Sequence, residues 1–247
     1  MAEMYESPTI ARLVEEQWQK WLRLTQAKER EGQPSIPFPT ITISRERGSG
    51  GGLIGRLVAD RLKFILFDSE IVDHVARSAS VDRMIVAQMD EQAQHNIRDW
   101  TERVIHRRAF SPQSYMEYLT RTILTAGEMG RAVIVGRGAH LVLPRERCLR
   151  VRVIAPLELR IQRVASGGAV PLREAATLIA ATDRQRSQFI RDNFQQSDSN
   201  PLLYDLVINT SELTLETTAD LIIHAATARF PQLAEAQESP APVPASK

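Results

Sequence analysis

The stretch Thr40-Ile41-Thr42-Ile43-Ser44-Arg45-Glu46-Arg47-Gly48-Ser49-Gly50-Gly51-Gly52-Leu53-Ile54 decides the fold. Its first five residues are β-prone, and beyond the glycines Leu53, Ile54, Leu57, Val58 and Leu62 recur at helical spacing. A strand, a glycine-rich loop and a helix in that order form a natural anion seat. Glycines let backbone N–H groups turn inward and approach phosphate oxygens, and the positive end of the helix macrodipole faces the same point. Four glycines at a strand-to-helix junction are costly to order without such a reason, which sets this loop apart from a flexible surface turn.

Working outward, five β-prone segments are expected at Thr40 to Ser44, Phe64 to Phe67, Ala132 to Val135, Leu149 to Ile154 and Asp205 to Ile208. Helical patterns separate them, so the fold class is α/β. A mostly parallel five-stranded sheet covered on both faces forms a three-layer domain, its strands reading as apolar runs rather than strict alternation. Between the second and third strands, two helical stretches, Val81 to Phe110 and Gln113 to Glu128, form an insert over 81–128 suited to a substrate subdomain. Thr214 to Ala228 reads as a closing helix. Upstream, Ile10, Leu13, Val14, Trp18, Trp21, Leu22 and Leu24 mark an N-terminal amphipathic helix, cut off from the core by a proline-rich linker over 31–39. The expected organisation is therefore a helix and linker at 1–39, a domain at 40–228, and a tail at 229–247 whose Ala, Pro and Glu content predicts disorder.

Composition narrows the function classes. With 247 residues and a formal charge of +1, no global basic field points to nucleic acid or a membrane surface, and a small partner is expected. The single cysteine, Cys148, forms no internal disulfide and reads as buried packing. No secretory signal is evident and the apolar runs are far shorter than the roughly twenty residues of a bilayer span, so a cytoplasmic location is expected. His74, His95, His106, His140 and His224 are scattered with no i, i+4 pair and no Cys partner, so no metal site or Cys/His nucleophile is expected. Arg103, Arg107 and Arg108 read as a solvated helix face.

Two phosphate-binding patterns compete for the loop. Gly50, Gly52 and Gly55 satisfy G-x-G-x-x-G, with Asp68 near the distance expected for a ribose contact in a dinucleotide fold. Yet five residues separate Ser44 from Gly50, a length closer to a P-loop, while the lysine and hydroxyl that pattern requires are missing. The loop alone leaves both open.

The blocks Ile41 to Gly51, Phe67 to Val72, Val133 to Ala139, Leu149 to Ala155 and Tyr204 to Ser211, in that order and spacing, resemble the cytidylate kinase-like family of P-loop nucleoside-monophosphate kinases. The resemblance runs from Thr40 to about Ala226 and implies transfer of the ATP γ-phosphoryl to CMP, dCMP or a related nucleotide, with Mg2+ carried on the nucleotide. It assigns Arg45, Gly48, Ser49, Gly50, Gly51 and Gly52 to the ATP phosphates, and Asp68, Arg137 and Asp183 to the acceptor nucleotide. Arg137, Arg160, Arg163 and Arg184 are the implied catalytic arginines, whose planar forks suit phosphate oxygens. A lid over 165–195 would hinge at Gly167-Gly168. Three departures from the pattern stand out: Gly51 at the lysine position, Leu53 at the hydroxyl position, and Gly138 where cytidylate kinases commonly carry an aspartate. Arg45 or Arg56 is the expected substitute cation. The same departures motivate a different class of function, a non-catalytic nucleotide-binding regulatory module.

Overall fold

The computed structural model describes residues 39–69, 72–73 and 115–233. The expected amphipathic helix, the insert helix over 81–110 and all but the first five residues of the expected tail lie outside them.

The strands are β1 (Thr40–Arg45), β2 (Ile65–Phe67), β3 (Ala132–Val135), β4 (Cys148–Ile154) and β5 (Leu206–Asn209), each within one residue of its expected ends. They form a sheet in the order β2-β3-β1-β4-β5 with every neighbouring pair parallel. The helices among the described residues are α1 (Gly51–Leu62), α2 (Tyr115–Met129), α3 (Ala139–Val142), α4 (Leu157–Gly168), α5 (Leu172–Phe194) and α6 (Leu215–Arg229).

The sheet buries both faces. Ile41, Ile43, Val133, Val135, Leu149, Val151 and Val153 meet Ile54 and Val58 of α1 and Ile222 of α6 on one side. On the other, Ile65, Phe67, Ile134 and Cys148 pack against Leu119 and Ile123 of α2, Val142 of α3, and Ile190 and Phe194 of α5. Each such side chain contributes about 1.5–3 kcal/mol on burial, so the core rather than intrinsic helix propensity holds the layers.

The fourth strand differs from the expected apolar run. Leu149, Val151 and Val153 face the apolar layer, whereas Arg150 and Arg152 point the other way and are buried. Their charges are paired. Arg150 Nη2 and Nε donate to the two carboxylate oxygens of Asp205 at 2.6 and 3.2 Å, its backbone N–H donates to the same group at 2.9 Å, and Arg229 Nη1 lies 2.7 Å away. Burial alone would raise the Asp205 carboxyl, but these donors and charges hold it below the usual carboxylate range. Arg229 ends α6, and Phe230 and Leu233 are buried beyond it, so the packed fold extends into the first five residues of the expected tail.

The order of the strands creates a crevice. After β1 the chain turns into α1 on one face, and after β3, its neighbour, it turns into α3 on the other. The ends of adjacent strands thus part company at the carboxyl edge, where open α/β sheets bind ligands.

Candidate active site

The glycine loop bridges β1 and α1. Gly48 and Gly50 have φ of +85° and +86°, a region that disfavours side chains. A Cβ on Gly48 would stand 2.8 Å from the Arg160 carbonyl oxygen, so glycine is required there on two counts. The loop is tied down from several directions. Glu46 N–H donates to Val153 O at 3.2 Å, and Ser49 donates to Glu46 O through both its N–H and its hydroxyl, at 3.3 and 2.9 Å. Thr210 Oγ1 donates to Ser49 O at 2.9 Å, and Arg163 in turn grips Thr210 through Nη1 and Nη2 at 3.0 and 2.7 Å.

Helix α5 is fastened to the same loop. Asp183 accepts from Arg47 N–H at 2.8 Å and from Arg160 Nη1 at 2.5 Å, while Arg160 Nη1 and Nε also donate to the carbonyls of Arg47 and Ala155. Glu46 adds a carboxylate 3.4 Å from Arg160 Nε and accepts from Ala155 N–H. Arg160, Arg163, Asp183 and the Ser49 hydroxyl therefore hold the loop in shape instead of facing an open ligand site, a different placement from the phosphate and nucleotide contacts expected for them. Gly167 and Gly168 fall within the last turn of α4 rather than interrupting a helix.

What remains open is the start of α1. Gly50 caps it without any side-chain bond, no acid occupies the first turn, and a Cβ on Gly52 would meet nothing within 4 Å. The first amides of a helix lack intrahelical partners, so this end offers donors to an anion.

Beside it lies a cleft of about 230 Å³ at the crevice between β1 and β3. Three guanidinium-bearing residues line it: Arg45 from the end of β1, Arg137 from the turn after β3, and Arg186 from α5. Ser44, Ser69, His140, Gln185, Phe189 and Asp198 complete much of the wall. Arg137 sits at φ +52° between Gly136 and Gly138, and is held by the buried Asp73. Its Nε donates to Asp73 Oδ1 at 2.6 Å, its Nη2 pairs with Oδ2, and the Tyr115 hydroxyl donates to the same carboxylate at 2.6 Å. Its guanidinium carbon also lies 5.7 Å from the centre of the Phe189 ring.

Among the described residues, Arg45 and Arg186 have no comparable carboxylate clamp. Arg45 Nη2 donates to Ser69 Oγ at 3.3 Å, and Arg186 Nη1 donates to Arg45 O at 3.2 Å with Asp183 3.8 Å away. Burial, then the charges of Arg186 and Arg137, push the Arg45 guanidinium down from its ordinary value, with Asp68 and Asp183 opposing. Arg186 is lowered by burial first, and by Arg47 and Arg137 against Asp183. A cluster of like charges held out of water is stabilised by an anion.

The expected site residues thus divide. Arg45 and Arg137 line the cleft. Asp68 follows β2, and its neighbour Ser69 forms the wall. Arg184 is exposed on α5, and Arg186 two residues later takes the cleft position instead. Asp73 lies outside every motif of the sequence, and Arg186 stands beside the preferred Arg184 in the same arginine-rich segment. For Arg186 a signal existed: it falls in register with the buried Ile179, Ile190 and Phe194 at intervals of seven and four, whereas Arg184 is out of phase.

Metal fit is poor. Leu53, where the P-loop pattern places a hydroxyl, is 59% exposed, and among the described residues no group of three or more His, Cys, Asp or Glu could hold an ion. Nor is any helix among them long and apolar enough to cross a membrane. Cys148 is buried, its thiol pushed up to about 12 first by burial, and is no nucleophile.

A parallel five-stranded α/β sheet with a glycine loop after its central strand and an arginine-lined crevice beside it defines a P-loop kinase-like protein. The model of the cytidylate kinase-like family matches residues 40–212, and the chain belongs to that family. A solved structure of an uncharacterized protein from Eubacterium ventriosum shares the fold, with a TM-score of 0.54 and 19% identity over 77% of this chain and 99% of that one. A shikimate kinase from Acinetobacter baumannii, solved with shikimate, aligns over 78% of this chain and 95% of its own at 17% identity and a TM-score of 0.41. A uronate isomerase of Corynebacterium glutamicum is 35% identical over 113 residues, which are 45% of this chain and 22% of that protein. The chain thus spans about a fifth of the length of the curated relative it matches.

Proposed function

We propose that this protein is a cytoplasmic phosphotransferase that moves the γ-phosphoryl of ATP to CMP, dCMP or a related nucleoside monophosphate. The observation that carries the reading is the convergence of Arg45, Arg137 and Arg186 on one crevice beside the open start of α1. The α1 amides at Gly51, Gly52 and Leu53 take the donor's phosphates, and the arginine cleft takes the acceptor phosphate and the group in flight. Arg137, its rotamer fixed by Asp73 and Phe189, orients the acceptor phosphate. Arg45 and Arg186 neutralise charge that spreads over the transferred group, the main contribution a protein makes to this reaction. Transfer is direct and in line, with no covalent intermediate. Magnesium arrives as part of the nucleotide, and among the described residues no cluster of carboxylates forms a separate seat for it.

A second reading, a nucleotide-binding regulatory module without catalysis, is favoured by Gly51 and Leu53, where lysine and hydroxyl are lacking. One experiment separates the two: purified protein with ATP and magnesium, assayed for diphosphate formation from CMP, dCMP, UMP, AMP and GMP. Turnover of one acceptor supports the kinase. ATP binding with no turnover of any establishes the module.

A further inference from the structure

The glycine at position 51 has no conformational reason to be one. Gly48 and Gly50 need positive φ; Gly51 is absent from that class and sits in the first turn of α1, where most residues fit. What excludes a side chain is space. A Cβ built there would stand 2.5 Å from Arg45 Cβ and 3.1 Å from Arg45 Cγ, with Val153 Cβ at 3.4 Å closing the other side. Arg45, in turn, runs past Gly136, where a Cβ would collide with its Nη1, and reaches Ser69 on the far wall of the crevice. Two glycines frame one arginine, on a line from the donor loop to the acceptor strand.

Among the described residues, no lysine stands at the loop. The chain has only four lysines, Lys20, Lys28, Lys63 and Lys247. The described one, Lys63, caps the opposite end of α1, twelve residues and roughly 18 Å from the loop.

We propose that the phosphate-loop cation of this protein has moved from the helix to the strand: Arg45 replaces the lysine, and position 51 is glycine because Arg45 fills its space. The two positions hold one side chain between them. A lysine on the helix is a single point charge, whereas an arginine projecting from the strand end presents a planar fork able to span donor and acceptor oxygens. The swap rests on the phosphotransferase reading for its purpose, but not for its sterics.

The test uses the full chain in five forms: wild type, Arg45→Gly, Gly51→Lys, Gly51→Ala, and Arg45→Gly combined with Gly51→Lys. ATP affinity is measured by calorimetry and thermal midpoint by scanning fluorimetry. Arg45→Gly should weaken ATP binding by ~10-fold or more without lowering the midpoint. Gly51→Ala and Gly51→Lys should each lower the midpoint while Arg45 is present. The double variant should recover the midpoint and bring ATP affinity back to within about threefold of wild type. Unchanged midpoints for both Gly51 variants, or a double variant that binds no better than Arg45→Gly, would overturn the swap. Wild type that binds ATP without transferring phosphate refutes the kinase alone, because the swap is read from binding and folding. Wild type that binds no ATP overturns both.

Discussion

The glycine loop and the arginine cleft meet at the end of β1 but are built by opposite rules. In the loop, most polar groups are answered from within: Glu46, Arg47 and Ser49 spend their amides on protein acceptors, and Arg160, Arg163 and Asp183 brace the outside. In the cleft, Arg45 and Arg186 are kept half out of water beside other cations and, among the described residues, lack a carboxylate clamp. A closed loop supplies shape and a cation-rich cleft supplies binding. The difference teaches where stability and affinity should separate under mutation, with Arg137 as the residue that belongs to both.

Arg137→Ala should therefore have the largest effect on folding, because it leaves Asp73 buried without its cation. Breaking a buried pair costs about 3–5 kcal/mol, and the partial exposure of Arg137 places this one at the lower end. Urea denaturation reads it. Arg137→Lys, which keeps the charge but not the two-pronged grip, should retain most of the stability and lose transfer. Gly48→Ala comes next, at about 2–4 kcal/mol, since a left-handed backbone and contact with the Arg160 carbonyl act together. If it melts like wild type, the loop is not the closed element described here.

The floor of the cleft offers a pH test. Burial, then Arg150 and Arg152, push His140 from 6.5 down to about 3, and its ring stacks on Tyr204 with centroids 4.8 Å apart. Its folded value lies below the unfolded one, so below about pH 6.5 the unfolded chain takes up a proton that the fold refuses. Stability is then complete above that pH and falls by ~1.4 kcal/mol per unit toward about 3. Asp205 loses stability in the same direction but only near and below its ordinary 3.8, so the interval between roughly pH 5 and 6.5 isolates the histidine. His140→Phe, which keeps the ring stack, should flatten the slope there; an unchanged slope would exclude His140 as its source.

Arg186→Gln should have the smallest effect on folding and the clearest on binding. Removing one of several clustered cations leaves the unfolding free energy equal or higher by about 1 kcal/mol, while phosphate affinity drops ~10-fold. A loss of stability would mean that the cleft, like the loop, is answered from within.

The sheet was legible because parallel strands buried on both faces leave short apolar runs between helices, and all five were found at their edges. Only β4 was misread in character. Its alternation of Leu149, Val151 and Val153 with Arg150 and Arg152 is a period-two pattern, but buried arginines become visible only when Asp205 and Asp198 arrive from later in the chain. The glycine loop was legible as an anion seat, yet the role of each residue in it was not. Nothing local to Asp183 or Arg160 says that they meet the backbone of Arg47, over a hundred residues away for each. Asp73 carried no motif at all, and its meaning depends on Arg137 reaching it across the crevice. Helix phase, by contrast, was readable and would have chosen Arg186 over Arg184.

The central claim is that the cleft arginines serve phosphoryl transfer. The most direct measurement is passage of label from γ-labelled ATP to CMP, by wild type and by Arg186→Gln, with both shown folded. The account predicts labelled diphosphate from wild type at a rate that Arg186→Gln lowers by ~100-fold, equivalent to about 2.7 kcal/mol of transition-state stabilisation. Labelled ATP that binds but passes its phosphate to none of CMP, dCMP, UMP, AMP or GMP, or an Arg186→Gln rate equal to wild type, would contradict it.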